Sequence, residues 1–109
     1  MISWEDFEKL DMRTGRILEA IPFEKAKRPA YKLKIDFGNE GIKNSSAQIT
    51  THYNCEELIG KQIIAVINFP PKQIADFMSE CLVLGVYDGN KNVILLQPDK
   101  QTENGNKIG

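Results

Sequence analysis

The chain has 109 residues, of which 41% are hydrophobic and 27% are charged, a composition typical of a folded globular protein rather than a disordered segment. This length predicts a single domain over residues 1–109. No apolar run approaches the ~20 residues that a membrane-spanning helix needs, so membrane insertion is not expected. The acidic N-terminus lacks the basic and apolar regions of a signal peptide, which predicts a cytoplasmic protein.

The net charge of −1 conceals an uneven distribution. Residues 13–43 hold eight of the fourteen basic residues but four of the fifteen acidic ones, and residues 25–34, KAKRPAYKLK, contain five positive charges and no negative one. Such a cluster favours a polyanionic partner, although a charge run is more often a solvated surface.

The first half of the chain predicts a short helix followed by three strands. Ser3 and Asp6 form a capping-box pattern that begins the helix. Residues 11–21 follow as a strand, in which Gly15 marks a bulge or a sharp coil. Residues 30–37, AYKLKIDF, alternate apolar and polar side chains, as a half-buried strand does. After the turn GNEG, residues 43–50 form a weaker, more polar strand.

The second half predicts a helix and further strands. Asn54, Glu57 and Gly60 have the positions of a cap, its capping-box partner and a helix end. Residues 61–69 are apolar almost throughout, as in a strand covered on both faces. Residues 80–88 and 93–98 form a hairpin about the Asp88–Gly89 turn, and the polar tail is expected to be loosely held until Ile108.

This order, three strands, a helix and then two or more strands, predicts an all-β fold: a five-stranded Greek-key OB-fold barrel, with short helices at the N-terminus and between the third and fourth strands. In OB-folds the loops joining strands one to two and four to five flank the binding face. Here the first loop is the basic segment PFEKAKRPA and the second is the apolar segment PPKQIADFMS. Both unusual segments are therefore expected beside one groove.

Two kinds of ligand fit such a groove. Apolar side chains in the second loop would grip a peptide whose acidic flanks the basic loop attracts; alternatively, Ile74, Phe77 and Met78, at the spacing of one helical turn, plug the end of the barrel. The predicted peptide-binding residues are Phe69, Pro70, Pro71, Ile74, Phe77 and Met78.

The second kind of ligand is RNA, whose phosphates would contact cationic side chains and whose bases would stack on aromatic rings. Its predicted contacts include Lys25, Lys27, Arg28, Tyr31, Lys32 and Lys34.

Two surplus apolar surfaces predict a homodimer. Trp4 and Phe7 lie on a helix that a small barrel need not cover, and the last strand, VILLQP, is apolar on both faces. An apolar surplus on a short chain commonly marks a subunit interface. The predicted interface residues are Trp4, Phe7, Val93 and Leu95.

Four segments, DMRTGRI, AYKLKIDFG, CEELIGKQIIAVINFPP and FMSECLVLG, resemble the tRNA-binding-domain family, the OB modules attached to methionyl- and phenylalanyl-tRNA synthetases. The similarity covers residues 7–109. KRPAYKLKIDFG, KNSSAQIT and NFPPKQIADFMSE further resemble the stand-alone, export-related chaperones of that family. The resemblance implies a homodimer of tRNA-binding ancestry that binds unfolded or preprotein chains, and it carries over Asn68, Ser79 and Glu80, together with Tyr31 and Lys32, as RNA-binding positions.

The sequence departs from the family at two basic positions. Pro70 stands where the broader family usually has a basic residue, and Ala75 followed by Asp76 stands at the second such place. The family pattern Ser-x-Gly-Met becomes Ser79-Glu80-Cys81-Leu82, so Ser79 alone is kept. Two phosphate contacts implied by the family are thereby replaced by apolar and acidic groups, which favours a peptide partner over tRNA.

No enzyme is predicted. His52 is the single histidine, and its neighbours do not supply the second ligand cluster of a metal site. A nucleophilic pair of His52 and Cys55 is conceivable, but closeness in sequence does not establish catalytic geometry. We therefore expect no catalytic residue, no metal and no cofactor, and two function classes remain: a chaperone-like binder of polypeptides and a tRNA- or RNA-binding module.

Overall fold

A computed structural model describes all residues, 1–109. The elements are α1 Trp4–Glu8, β1 Met12–Pro22, β2 Tyr31–Asp36, a 3-10 turn at Gly38–Glu40, β3 Ile42–Ala47, α2 Cys55–Leu58, β4 Gln62–Val66, β5 Lys72–Ile74, β6 Phe77–Ser79, β7 Leu82–Val83, β8 Gly85–Tyr87 and β9 Val93–Leu95. Five of the strands form an antiparallel sheet in the order β3-β2-β1-β4-β7, which curls into a nearly closed barrel, and the others form two small hairpins, β5-β6 and β8-β9. This is the predicted OB-fold.

The core forms where the alternating strand was predicted. Leu33, Ile35 and Phe37 point inward and are fully buried, while Lys34 and Asp36 between them are exposed and half-buried, respectively. β2 pairs with β1 on one side and with β3 on the other, so its apolar face meets those of both neighbours. Leu58 of α2 is buried in the same cluster, which shows how the helix covers the end of the barrel.

Both predicted helix starts are confirmed. The Ser3 Oγ accepts a hydrogen bond from the Asp6 N–H at 3.2 Å, and the Asp6 carboxylate accepts one from the Ser3 N–H at 3.1 Å. Asn54 and Glu57 form the same reciprocal pair at α2, with both distances 2.8 Å. These bonds satisfy N–H groups that the first turn of a helix otherwise leaves unpaired.

The bulge predicted at Gly15 lies elsewhere. The register of β1 with β2 shifts between Ile17 and Glu19, whereas Gly15 pairs regularly with Ile63 of β4. Gly15 instead makes room for the core, because a Cβ at this position would lie 2.6 Å from the Phe37 ring. The glycine is needed for close packing and not for a break in the strand.

The prediction of a loosely held tail is wrong. The Thr14 hydroxyl donates to the Glu103 C=O at 2.8 Å and accepts from the Asn106 N–H at 3.0 Å. The Gln62 side chain donates to the Thr102 C=O at 2.7 Å, and the Ile108 N–H donates to the Met12 C=O at 2.9 Å. The tail therefore runs along the first residues of β1, which β2 does not pair with, and its polar groups hydrogen-bond to β1 and β4.

The strand predicted over residues 80–88 is divided into β7 and β8. Leu84 lies between them, and its N–H donates to the Ile64 C=O at 2.9 Å. β7 therefore belongs to the barrel, while β8 leaves it to pair with β9. None of the helices has the length and hydropathy needed to cross a membrane.

Gly15→Ala should destabilise the protein by about 1–3 kcal/mol, because the added methyl group overpacks the core against Phe37 and Ile35. Urea denaturation followed by circular dichroism measures the change in the free energy of unfolding. Gly89→Ala is the matched control, since a Cβ there meets no atom within 4 Å, and its effect should stay within about 0.5 kcal/mol. Equal effects of the two substitutions would contradict the packing role of Gly15.

Candidate functional site

The β1-β2 loop and the β5-β6 hairpin touch each other, as the predicted loop positions require. The Lys25 Nζ lies 2.8 Å from the Asp76 Oδ2. Beside this ion pair the rings of Phe23 and Phe77 meet edge to face, with their centroids 5.4 Å apart at an interplanar angle of 67°. One polar and one aromatic contact thus hold the basic loop against the hairpin.

The second loop forms a hairpin and not a helical turn. Ile74 pairs with Phe77 across the two-residue turn of Ala75 and Asp76, and Ala75 has a positive φ of 52°, as two-residue hairpin turns require at one or both central positions. Such a turn places residues i and i+3 opposite each other, so the spacing of Ile74 and Phe77 fits either structure. The backbone after Pro70 and Pro71 is therefore extended.

The basic residues differ in how far their charge is already neutralised. Lys25 is bonded to Asp76; this bond raises the pKa of Lys25 and lowers the pKa of Asp76. Lys34 pairs with Glu19 at 3.1 Å. The Lys32 Nζ lies 4.8 Å from the centre of the Phe23 ring and 5.3 Å from that of Phe77, within the range of a cation–π interaction.

Lys27 and Arg28 are exposed and make no ion pair within the chain. They border a cavity of about 560 Å³ between the basic loop, the end of β3 and the β5-β6 hairpin. Hereafter we call it the basic cavity. Its lining includes Lys25, Lys27, Arg28, Ser46, Gln48, Lys72, Gln73 and Ile74.

A second cavity, of about 500 Å³, adjoins the first at Ile74 and Lys72. Its apolar lining residues include Phe69, Pro70 and Leu82. We call it the apolar cavity. It shares Ser46, Gln48, Lys72 and Ile74 with the basic cavity, so the two cavities adjoin, and we refer to the pair as the groove. Its remaining lining residues are Phe69, Pro70, Ser79, Glu80, Cys81 and Leu82.

The structure separates the predicted peptide-binding residues. Phe69, Pro70 and Ile74 line the apolar cavity. Phe77 instead packs on Phe23 and borders a smaller cleft with Lys32 and Lys34. Met78 is opposite Gln73 in the hairpin and lines neither cavity. Pro71 is exposed outside both.

Four of the predicted RNA-binding residues use their polar atoms within the chain. The Asn68 Oδ1 accepts from the Asp11 N–H at 2.9 Å, while its Nδ2 donates to the Lys9 C=O at 2.7 Å. Ser79 Oγ and Glu80 Oε1 accept from the N–H groups of Ser46 and Asn44, at 3.1 and 2.8 Å. The Tyr31 hydroxyl donates to the Tyr53 C=O at 2.7 Å. These side chains connect neighbouring segments of the barrel.

Sequence reasoning missed Phe23, Gln48, Lys72 and Leu82, which complete the groove or its support. Phe23 stands at the start of the basic loop, and its 3% exposure identifies it as the anchor of that loop. An apolar ring inside an otherwise charged segment was the available signal. Gln48 carries no such signal, because only the fold brings the end of β3 to the hairpin.

The predicted dimer residues fall in two places. Trp4 is 84% exposed and lines a cavity of about 370 Å³ with Phe7, Leu10 and Ile108. Val93 and Leu95, on β9, are half-buried and pack against the core. Exposed apolar side chains therefore remain in both places, at Trp4 on α1 and at Val86, Tyr87 and Ile94 on the β8-β9 hairpin.

His52 is hydrogen-bonded to a carboxylate, and burial keeps both cysteines in the thiol form. The His52 Nε2 lies 2.6 Å from the Asp88 Oδ2, and this hydrogen bond is the main reason that the pKa of Asp88 is lowered. Burial raises the pKa of Cys55 and raises that of Cys81 to about 11, which disfavours the reactive thiolate. No group of three or more His, Cys, Asp or Glu residues is placed to hold a metal ion.

Comparison with solved structures finds two chaperones that match along the full chain. The chain is 53% identical to chaperone CsaA of Bacillus anthracis str. Ames, with a TM-score of 0.95 and coverage of 100% of this chain and 99% of that one. It is 58% identical to the CsaA chaperone protein of Picrophilus torridus, with a TM-score of 0.94 and complete coverage of both chains.

Among curated proteins, the methionine–tRNA ligase of Methanosarcina mazei is 34% identical over 108 residues, which are 99% of this chain and 15% of the ligase. The chain thus spans about 15% of the length of the curated relatives it matches. The family model of the putative tRNA binding domain matches residues 12–107, from the start of β1 to the tail that returns along it. The chain therefore belongs to the putative tRNA-binding domain family, and along its full length it is similar to CsaA chaperones.

Proposed function

We propose that the protein is a non-catalytic, chaperone-like module that binds unfolded or preprotein chains in the cytoplasm in support of export. The observation that carries this proposal is the groove, whose apolar cavity adjoins a basic cavity at Lys72 and Ile74. The full-length similarity to CsaA chaperones supports the same class of function.

The two halves of the groove have complementary tasks. Apolar client side chains would enter beside Phe69, Ile74 and Leu82, and a fully buried apolar side chain contributes roughly 1.5–3 kcal/mol. Lys27 and Arg28 would attract acidic flanks of the client. This attraction mainly speeds association, and added salt weakens it. The ion pair and ring contact between the loops hold this arrangement before the client arrives, so little entropy is lost on binding.

A second function, binding of tRNA or other RNA, is favoured by the family match and by the exposed charges of Lys27 and Arg28. Cations of this kind bind phosphates without reading base sequence. The aromatic rings nearest to them, Phe23 and Phe77, are packed on each other, which leaves less ring surface for stacking on bases. We therefore rank RNA as the secondary ligand.

We also propose that the protein is a homodimer. Trp4, Phe7, Leu10 and Ile108 line a mainly apolar cavity on the surface, and covering such a surface with a second copy removes it from water. Val93 and Leu95 belong to the proposed interface as well, and they already pack against the core of their own chain.

Phe69→Ala should weaken binding of a permanently unfolded polypeptide, such as a reduced and carboxymethylated secretory protein. About half of the Phe69 side chain is buried already, at 48% exposure, so we expect a loss of about 1–1.5 kcal/mol, or roughly tenfold in affinity. Fluorescence anisotropy measures the affinity well below the melting temperature, which should fall by a few degrees because the buried half of the ring is lost as well.

Met78→Ala is the control for Phe69→Ala, because Met78 has a similar exposure of 45% but lines neither cavity. It should change client affinity less than twofold. A larger effect at Met78 than at Phe69, or a sharp loss of stability at Phe69 with intact affinity, would contradict the assignment of the apolar cavity.

The double variant Lys27→Ala/Arg28→Ala should weaken binding of unrelated RNA sequences to a similar degree. If both residues contact phosphates, the slope of log affinity against log salt should become shallower by about 1.4, or about 0.7 per contact. Filter binding at several salt concentrations measures the slope, and Lys100→Ala, a change at an exposed lysine outside the groove, serves as the control. Loss of affinity for one tRNA alone would argue against phosphate contacts.

Sedimentation equilibrium should give a mass of about twice that of the 12.3 kDa chain. Trp4→Asp should shift the protein to the monomer, because it places a charge in the apolar interface. Ile59→Asp, at an exposed apolar residue outside that cavity, should remain dimeric. A folded wild-type monomer at micromolar concentration would refute the dimer.

A further inference from the structure

The outer edge of β3 is an incomplete backbone ladder. Asn44 uses both its backbone groups: its N–H donates to the Glu80 carboxylate and its C=O accepts from the Glu80 N–H, each at 2.8 Å. Two residues further, the Ser46 N–H meets only the Ser79 hydroxyl, at 3.1 Å. Gln48 is exposed, and its backbone N–H and C=O form no hydrogen bond within the chain. The edge is therefore closed at Asn44 and open from the Ser46 C=O onward.

β5 has a second open edge. The β5-β6 sheet has two strands, so β5 is paired on one side. Because a two-residue turn joins them, the Ile74–Phe77 pair beside that turn is the hydrogen-bonded one, and the next pair, Gln73–Met78, is not hydrogen-bonded. The N–H and C=O of Gln73 consequently point away from β6.

Both open edges border the same groove. Ser46, Gln48 and Gln73 all line the basic cavity, and Ser46 and Gln48 continue into the apolar cavity. An extended chain of about nine residues spans about 30 Å, which equals the shorter dimensions of the molecule, 30 Å. A segment of that length would cross both cavities and pass the unpaired backbone groups.

We infer that the groove holds its client as an added β-strand, whose main chain hydrogen-bonds to the open edges at Ser46–Gln48 and at Gln73. This inference rests on the proposed function and specifies how the same groove binds. The expected client segment is extended, with apolar side chains toward Phe69, Ile74 and Leu82 and acidic ones toward Lys27 and Arg28.

Main-chain recognition suits a protein whose clients share no sequence. Every residue except proline carries the same N–H and C=O groups, so hydrogen bonds to an added strand supply affinity while side-chain pockets supply preference. β5 is only three residues long, and short edge strands resist self-association. The open edge is therefore exposed to a client but too short to pair firmly with another copy of itself.

A pair of substitutions at Gln73 tests the strand on the protein side. Gln73→Pro removes the outward N–H, and proline is tolerated on an edge strand when its nitrogen faces away from the partner. Gln73→Ala is the matched control, because it keeps the N–H while losing the same side-chain hydrogen bond to the Ala75 C=O. The probe is a fluorescein-labelled synthetic peptide of about nine residues, with alternating leucines in one half and aspartates in the other.

We expect Gln73→Pro to bind the peptide about two- to tenfold more weakly than Gln73→Ala, as loss of one hydrogen bond predicts. Equal melting temperatures of the two variants show that the hairpin is intact. A second measurement does not depend on the variants: replacing single amides of the peptide by esters removes one N–H each without adding bulk. Esters at the positions facing the open edges should weaken binding by the same factor.

The possible failures are distinguishable. If the unmodified peptide does not bind the wild type, both the proposed function and the added strand are refuted. If the peptide binds but every ester analogue binds as tightly as the amide, or Gln73→Pro binds like Gln73→Ala, only the added strand is overturned.

Discussion

At the seam of the barrel, between β3 and residues 79–81, side chains replace most of a backbone ladder, and the position of the groove follows from this. Between β3 and residues 79–81 there is one backbone hydrogen bond, from the Glu80 N–H to the Asn44 C=O. Ser79 and Glu80 accept from β3, and the Ser45 hydroxyl donates to the Cys81 C=O at 3.0 Å. Side-chain closure satisfies the buried polar groups of the seam, and it leaves the β5-β6 hairpin outside the main sheet, where a groove can form beside it.

The basic loop and the β5-β6 hairpin, which meet at the groove, supply its charged and its apolar side chains. Neither the Lys25–Asp76 pair nor the Phe23–Phe77 contact is deeply buried as a whole, and an exposed ion pair contributes little stability by itself. Their importance is geometric, because together they fix the basic loop beside the apolar hairpin. The same OB-fold supports different ligands in different proteins, and here Pro70, Ala75 and Asp76 make the segment around the β5-β6 turn apolar and acidic.

Much of the fold could be predicted because local chemistry and tertiary structure agree. The alternation at Leu33, Ile35 and Phe37 and both capping boxes are local patterns, and the structure reproduces them. The errors arose where the structure of a segment depends on residues that are distant in sequence. The polar tail looked free because its partners, such as Thr14, lie far away in sequence. Gly15 looked like a bulge because the ring of Phe37, which needs its space, is invisible to a local reading.

The sequence predicted which two loops form the site, but not which of their residues line it. The sequence identified a basic loop and an apolar loop on one side of an OB-fold, and the structure places them in contact. Which residues are free for a ligand could not be read from the sequence. Asn68, Ser79 and Glu80 are bonded within the chain, whereas Gln48, which had no distinguishing feature, presents an unpaired backbone.

We expect one groove, formed by the basic loop, the end of β3 and the β5-β6 hairpin, to receive an unfolded polypeptide. An NMR titration of the isotope-labelled protein with such a polypeptide tests this, because each non-proline backbone amide reports on its own surroundings. The amides of residues 25–28, 46–48, 69 and 72–74 should shift together, with one binding curve. Shifts confined to other surfaces, such as α1 or the β8-β9 hairpin, with residues 46–48, 69 and 72–74 unchanged, would contradict the assignment of this groove.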